Sequence, residues 1–273
     1  MTSQPHRKLR AAAVVCVVAV VAGPAPAAAW AATGGRPPAA APSPSPSPTP
    51  DPFKGLTPDE IAERGVTATQ SATSLRMTGR VAGGGQPIGI DFAVNDSGEC
   101  TGLIKIKGGT AELRRVDHVT YMKGDEAFWR ASMASQGMSE PQITVTLELI
   151  KGRWLKIAPG QTGSEDLGSV CDLKSLLSDI GKNKEERSGL TRGPDGKVDG
   201  TPVATLVKKK PGGETATVSV SRQGKPYILK MVKKGGDEPG SVVLSDYDKP
   251  VDVKAPPADE TVDLSKLDQG TPA

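Results

Sequence analysis

The sequence has 273 residues, with 34 lysines and arginines against 31 aspartates and glutamates. The basic surplus lies within the first ten residues (Arg7, Lys8 and Arg10), and without them the chain is neutral. A neutral chain with three residues each of Phe, Trp and Tyr lacks the basic surface and the stacking rings that nucleic-acid binding needs. Its two histidines, His6 and His118, cannot build a His-rich zinc site. We therefore expect no nucleic-acid partner, no metal and no cofactor.

The N-terminus has the three parts of a secretory signal peptide. A basic start is followed by an apolar run over residues 11–23 and then by small residues that end at Ala29-Trp30-Ala31. The run is shorter than the ~20 residues that span a bilayer. We predict a signal peptide over residues 1–31 (cleavage after Ala27 is the alternative) and a secreted, extracytoplasmic location. Cys16 lies too early in the run to be the usual lipidated cysteine, although its lipidation stays open.

Residues 32–55 are rich in Pro and Ser, with strict alternation from Pro42 to Pro50. Such a composition cannot form a core and favours extended polyproline II conformations. This segment is predicted to be a disordered linker, which acts either as a spacer or as a free tail. A single domain is predicted over residues 56–267, with a disordered tail over 268–273.

The domain begins with a helix start signal, Thr57-Pro58-Asp59-Glu60, in which Thr caps, Pro takes the first helical position and Glu completes a capping box. A helix is predicted from residue 58 to about 72. Short runs of alternating apolar and polar residues, separated by turn residues, then predict five strands. Because each strand directly follows the previous one in the sequence, we expect them to pair antiparallel. These strands are expected at 75–82, 88–94, 103–107, 111–116 and 119–123.

The middle of the domain is more helical. A helix is predicted over 125–138, and a second over 164–182, where Leu173, Leu176, Leu177 and Ile180 follow helical spacing. Residues 142–150 favour a strand by propensity, and 153–158 are predicted as a strand. Later strands are expected at 188–191, 203–208, 215–221, 227–232 and 241–247, with turns that include 193–196, and residues 251–257 are expected to be extended.

This order predicts an α+β fold: a strongly curved antiparallel half-barrel of about 10–11 strands, with helices covering its concave face. A curled sheet under helices encloses an apolar cleft. With Cys16 removed, Cys100 and Cys171 remain, and an even pair in an exported chain predicts a disulfide, with two buried free thiols as the alternative.

The sequence also resembles the LolA/LppX-type superfamily of envelope lipid carriers, in particular its actinobacterial branch of LppX- and LprG-type lipoproteins. The resemblance covers residues 56–267 and depends on the order and spacing of several short segments. These are Gly98-Glu99-Cys100-Thr101-Gly102, Asp125-Glu126-Ala127-Phe128-Trp129-Arg130, Gly152-Arg153-Trp154-Leu155-Lys156, Val170-Cys171-Asp172-Leu173, Gly224-Lys225-Pro226-Tyr227-Ile228-Leu229 and the stretch from Tyr247-Asp248-Lys249-Pro250 to Pro257.

The resemblance implies a half-barrel closed by helices, a helix over 142–150 against propensity, and carriage of acylated lipids without chemistry. We follow it for residues 142–150. Members of this branch usually carry a cysteine at the end of the signal, and its absence here puts membrane anchoring in doubt.

Candidate catalytic chemistry is sparse. His118 has no Gly-x-Ser-x-Gly nucleophile elbow to serve, and Gly83-Gly84-Gly85 lacks the Lys-Ser/Thr of a phosphate loop. We expect no enzyme and no catalytic residues. The lysines at 208–210 and 233–234 are interpreted as solvated turn charges, with contact to anionic lipid head groups as the functional alternative.

The apolar residues carry the functional hypothesis, which is a lipid or other hydrophobic ligand in a cleft between sheet and helices. The alternative is a protein-interaction or sensor module on the same fold, with an envelope protein partner and a closed cleft. Peripheral membrane contact stays open, and a monomer is expected. The predicted lining residues are Met77, Phe92, Met122, Phe128, Trp129, Met133, Leu173, Leu176, Leu177, Leu229 and Met231.

Overall fold

A computed structural model describes residues 50–83, 86–161, 164–182, 187–236 and 238–268. The predicted signal peptide, the linker as far as Thr49 and the tail from Gln269 lie outside the described residues, as do Gly84 and Gly85. Within the described ranges the chain forms six α-helices and one sheet of thirteen strands.

The first helix, α1 (Pro58–Gln70), confirms the start signal. The Thr57 hydroxyl accepts a hydrogen bond from the Glu60 backbone N–H at 3.2 Å, while the Glu60 carboxylate accepts one from the Thr57 N–H at 2.7 Å. These two bonds satisfy donors that a helix N-terminus otherwise leaves unpaired. The buried face, with Ile61 and Val66, contacts the sheet and a later helix.

Five strands follow as an antiparallel meander, as predicted. Their turns depend on residues that accept positive φ, including Gly98 at 76° and Gly108 at 81°. The strands are β1 (Ser74–Gly83), β2 (Gln86–Asn95), β3 (Cys100–Ile106), β4 (Gly109–Val116) and β5 (Val119–Gly124).

The middle segment forms α2 (Glu126–Ser135), α3 (Glu140–Ile150), β6 (Trp154–Ile157), α4 (Ser164–Ser169) and α5 (Leu173–Lys182). The single helix predicted over 164–182 is wrong, because the chain turns between α4 and α5. Asp172 starts α5 by capping it: its carboxylate accepts from the Ser175 N–H at 3.1 Å and its carbonyl from the Leu176 N–H at 3.0 Å.

Residues 142–150 lie in helix α3, so the resemblance was the better guide and the β-propensity of this segment was misleading. Helix α3 begins at Ser139, whose backbone N–H and hydroxyl both donate to the Gln142 side-chain oxygen, at 3.0 and 2.8 Å. Its buried residues Ile143, Leu147 and Ile150 repeat at helical spacing and form one face.

The last part of the domain adds seven strands and one helix. They are β7 (Thr191–Arg192), β8 (Gly196–Val198), β9 (Thr201–Lys209), β10 (Thr215–Ser221), β11 (Ile228–Lys234), β12 (Gly240–Ser245), β13 (Thr261–Asp263) and α6 (Leu264–Asp268). Two predictions differ: β8 begins inside the predicted turn at 193–196, and of the strand predicted over 188–191 only Thr191 lies in a strand, at the start of β7. Residues 251–257, expected to be extended, belong to no helix or strand. Strand β13 and helix α6 were not predicted.

The strand order is β13-β6-β5-β4-β3-β2-β1-β12-β11-β10-β9-β7, with β8 also paired to β9. The sheet is open and curved, which confirms the α+β half-barrel, although it has more strands than expected. The exception to antiparallel pairing is β13, which runs parallel to β6. Helices α1 and α5 contact each other, with α1 on β10 and β11, while α2 lies on β3, β4 and β5.

Candidate ligand-binding site

One face of strands β9, β10 and β11 carries three rows of side chains, set by the strand register. Val218 on β10 lies opposite Leu206 of β9 and Met231 of β11. In a pleated sheet, residues two apart point to the same face, so the rows on either side belong to the same surface. Those flanking rows are Ala204, Val220 and Ile228 on one side and Lys208, Ala216 and Lys233 on the other.

Helix α1 closes one end of this surface. Ala204, Val220 and Ile228 are fully buried, and a Cβ at Gly65 of α1 would lie 3.1 Å from the Val220 Cγ2 atom. The Thr69 hydroxyl, also buried, accepts a hydrogen bond from the Ile228 N–H at 2.9 Å and ties the end of α1 to β11. The packing is looser toward the row that holds Lys208 and Lys233, as the half-buried side chains of Val218 and Met231 show.

An apolar cavity of about 130 Å³ lies where the packing loosens, between α1, α5 and the sheet. Its wall is mainly aliphatic, and charged side chains stand on one side. The lining residues are Ala62, Val66, Ile180, Leu190, Ala216, Val218, Ile228 and Met231, with Asp179, Arg187, Lys208 and Lys210 as the charged group.

A second space, a groove of about 390 Å³, lies beside the cavity on the sheet. Val81 of β1 and Val242 of β12 supply part of its apolar wall. The cavity and the groove share four lining residues, which are Lys210, Ala216, Val218 and Met231. Met231 lines both, and its flexible thioether side chain is suited to a wall that adapts to what lies against it.

Lysines lie beside the residues that the cavity and the groove share. The Lys210 ammonium lies 3.0 Å from one oxygen of Glu214, and the Lys233 ammonium lies 3.6 Å from the other. Lys208 donates to the Ser188 carbonyl at 2.9 Å. The two lysine clusters thus lie at the same end of the sheet, on strands that flank β10 rather than on adjacent strands. The Lys210 ammonium, with help from Lys233, lowers the pKa of Glu214.

A larger depression, of about 640 Å³, lies elsewhere and is polar. Arg115 lines it and donates to the carbonyls of Gly98 and Gly168, at 3.3 and 3.4 Å. His118 also lines it, from the turn after β4, where its φ is 64°. Three carboxylates share this wall with the arginine, so charges of both signs interrupt its apolar surface.

The predicted cleft residues are spread over the core rather than gathered around the cavity. Met231 lines the cavity, and Leu173 lines the polar depression. Leu176 and Met77 are half-buried against the core, and Leu229 occupies a bulge of β11. The rest are buried core residues: Phe92, Met122, Phe128, Trp129, Met133 and Leu177. A lining role for these residues therefore remains a prediction.

The apolar cavity residues that sequence reasoning missed are, apart from Leu190, small or β-branched. Ala62 and Val66 belong to the apolar face of α1, and Ala216 and Val218 belong to an alternating run on β10. Both patterns were visible in the sequence. The prediction had instead favoured large and sulfur-containing side chains, many of which fill the core.

Trp154 lies on the other face of the sheet. Its ring is buried beneath the Arg114 guanidinium, 4.5 Å from the ring centroid, and it stands outside the main core cluster. It packs the opposite face and does not close the cavity. The Arg114 side chain also donates to the Lys254 carbonyl, which fastens the segment after β12 over this face.

Cys100 and Cys171 form the predicted disulfide, with Cα atoms 5.4 Å apart. In the part of the chain that the structure describes, no group of three or more His, Cys, Asp or Glu side chains is placed to hold a metal ion. Across the same residues, no helix has the length and apolar character required to cross a bilayer.

The fold and site together define a class: an open, curved sheet with helices on one face and a small apolar cavity beneath them. Comparison with protein-family models and with curated proteins gave no match. Among solved structures, LprF from Mycobacterium bovis is similar, with a TM-score of 0.50 and 14% identity over 72% of this chain and 96% of LprF. This confirms, at the level of the fold, the resemblance inferred from the sequence.

Two further similarities are weaker. The Mycobacterium tuberculosis lipoprotein LppX gives a TM-score of 0.43 and 16% identity, over 72% of this chain and 97% of LppX. The Pseudomonas aeruginosa MucA/MucB complex gives 0.28 and 14%, over 74% and 59% of the respective chains. Scores of this size do not establish a common fold, so neither bears on function.

Proposed function

We propose that this protein binds and carries the acyl chain of a lipid or a similar hydrophobic ligand, outside the cytoplasm and without catalysis. Export depends on the predicted signal peptide over residues 1–31, and the domain over 56–267 binds the ligand. The observation that supports this proposal best is that the apolar cavity and the groove lie side by side and share four lining residues. The cavity alone is small, but the two spaces together reach the size of known ligand sites, about 300–1,000 Å³.

The sheet also suits this role because the apolar face is only partly covered. Packed cores leave few voids, and half-buried aliphatic side chains beside a cavity can exchange solvent contact for ligand contact at about 25 cal/mol per Å². Val218, Met231 and Val242 are in this state. A chain lying along them would bury apolar surface and leave its polar end near the lysines.

The test is to isolate the secreted protein without detergent, extract it with organic solvent and identify bound lipid by mass spectrometry. In a Val218→Trp variant the indole fills space beside the lining residues that cavity and groove share, and bound lipid should be lost. Val243→Trp, on the opposite face of β12, is the matched control and should keep its lipid. Both variants must unfold cooperatively in urea. A wild-type protein without lipid, and without affinity for added fatty-acyl probes, would contradict the proposal.

A protein-interaction module is the second candidate, and one surface favours it. Val145 and Leu149 lie one turn apart on α3 with 63% and 56% of their surfaces exposed. Large exposed apolar side chains at adjacent positions are typical of contact surfaces. If this function is correct, Leu149→Asp should abolish capture of an envelope partner, while Val218→Trp should leave it intact.

A further inference from the structure

We propose that Lys208, Lys210 and Lys233 form a head-group site for an anionic amphiphile, which holds the carboxylate or phosphate end of a ligand whose acyl chain lies in the cavity and groove. This inference rests on the proposed function and makes it more specific, since a cavity alone does not distinguish a charged amphiphile from a neutral one.

The strand register places the lysines at the mouth of the apolar site. Lys208 and Lys233 both lie opposite Ala216, on the same face as the cavity. One strand separates them, so their Cα atoms are roughly 10 Å apart. Lys210 directly follows the last residue of β9 and lines both the cavity and the groove. A ligand chain that leaves the cavity therefore passes between cations from two strands.

Cations outnumber carboxylates narrowly at this mouth: the cavity and groove are lined by Lys208, Lys210, Lys233 and Arg187 together with Asp179, Glu214 and Glu238. Glu214 lies between Lys210 and Lys233 and is the carboxylate that both contact. Neighbouring charges at the cavity pair among themselves, since Arg187 bonds Glu63 and Lys182 bonds Asp179.

The chemistry of lysine suits an amphiphile. Its aliphatic stem covers apolar surface while its ammonium reaches toward water, so one side chain contacts both the acyl chain and the charged end of a ligand. Charge-assisted hydrogen bonds to a carboxylate or phosphate are stronger than neutral ones. The lowered pKa of Glu214 has the same origin, because the ammonium groups stabilise negative charge at this place. A ligand anion would join Glu214 there or replace it.

The experiment compares two probes with the same oleoyl chain, lysophosphatidic acid and monooleoylglycerol, below the concentrations at which they aggregate. Inorganic phosphate is the third probe and has no chain. Delipidated wild-type protein should bind the phosphate amphiphile about tenfold more tightly than the neutral one, as measured by calorimetry. This preference should shrink as salt is raised, while neutral binding stays constant. Phosphate alone should bind far more weakly.

Variants locate the site. Lys208→Gln/Lys233→Gln should lose the preference for the phosphate amphiphile and keep its affinity for monooleoylglycerol. Lys197→Gln, on β8 at the other end of the sheet, is the matched control and should behave as wild type. Glu214→Gln removes the competing carboxylate and should strengthen binding of the anionic probe severalfold. Glu214→Gln also keeps the test decisive if the double lysine variant does not fold.

The outcomes separate this inference from the proposed function. Equal affinity of the wild type for both amphiphiles overturns the head-group site and leaves lipid carriage supported. Phosphate affinity equal to that of the amphiphile also overturns it, because the site is then a simple anion site. If neither amphiphile binds, the proposed function and this inference both fail.

Discussion

The carboxylate of Asp248 joins three segments that are distant in the sequence. It accepts hydrogen bonds from the Tyr227 hydroxyl at 2.5 Å, the Thr73 N–H at 2.9 Å and the Lys225 ammonium at 3.1 Å. The Tyr227 ring stacks on Tyr247 with centroids 4.0 Å apart. These bonds, that from Tyr227 first, hold the pKa of Asp248 well below its usual range. One side chain thus links the starts of β1 and β11 to the end of β12.

This lowered pKa predicts a pH-dependent effect of Asp248→Asn. A depressed pKa in the folded state means that the stabilisation is present above the unfolded pKa, near 3.9, and is lost as pH falls toward the folded value. The variant should lose about 1 kcal/mol of unfolding free energy at pH 7, a modest value because the carboxylate is partly exposed. The difference should begin to shrink as the pH falls below about 4 and should disappear only as the pH passes below the folded-state pKa. Urea titrations from pH 7 to pH 2.5 measure it.

The control is Asp246→Asn, which removes a neighbouring carboxylate bonded to the Lys249 side chain. Asp246 and Asp248 both have left-handed φ values, of 51° and 58°, which Asn tolerates. The two variants therefore differ in the bonds that they remove and not in backbone strain. A difference between wild type and Asp248→Asn that is the same at all pH values would contradict the assignment.

At the scale of elements, helix α3 shows which local signals in the sequence are informative. Its propensity favours a strand, but Ser139 and Gln142 form the capping bonds, and its apolar residues repeat at helical spacing. Packing of that face decides the structure, as tertiary contacts commonly override propensity. The break between α4 and α5 was missed for the opposite reason. The leucine spacing is helical within α5, and the Asp172 cap that separates it from α4 is a single residue.

Helix α2 lies against the sheet because β4 begins with a glycine. A Cβ at Gly109 would lie 2.1 Å from the Phe128 backbone nitrogen and 2.4 Å from the Phe128 Cα atom. Backbone atoms cannot rotate away, so Gly109→Ala should displace α2 and lower the unfolding free energy by about 3 kcal/mol. Equilibrium urea unfolding measures the loss.

Gly168→Ala is the comparison for this variant. Its Cβ would meet the Arg115 guanidinium at 3.5 Å, an ordinary contact, and alanine favours the helical conformation of α4. It should be neutral or stabilising by up to about 1 kcal/mol. If Gly109→Ala were as stable as Gly168→Ala, close contact between α2 and β4 would not be what positions the helix.

At the scale of the whole molecule, the sequence predicted the strands better than it predicted the site. Alternation and turn residues are local, so the meander and the longer strands from β9 to β12 were found with small errors at their ends. The short strands β7, β8 and β13 carry too few residues to show alternation, and they were misplaced or missed. The cavity depends on which helix covers which strands, and that arrangement is not local. Ile180 and Val218, for example, are 38 positions apart in the chain and line one cavity only because α5 packs against α1, which lies on β10.

The disulfide covalently links the strand meander to the helical segment that contains α5. Cys100 opens β3, and Cys171 lies in the turn between α4 and α5, 71 positions later. Closing a loop of this length restricts the unfolded chain, and the chain-entropy model gives about 4 kcal/mol of stabilisation. Cys100→Ala/Cys171→Ala should therefore lower the unfolding free energy by roughly 2–5 kcal/mol.

The matched control is wild-type protein unfolded and refolded with reductant, since it keeps both sulfur atoms in the core. If loop closure is the cause, the reduced wild type and the double variant should lose similar stability. A loss in the variant alone would mean that packing of the two buried sulfur atoms matters and the covalent bond does not. Hydrogen exchange adds a local readout, because the bond fixes the start of α5. The backbone amides of α5 should exchange faster in the reduced wild type and in the double variant than in the oxidised protein. The amides of β10, which is held on both sides by neighbouring strands, should change less.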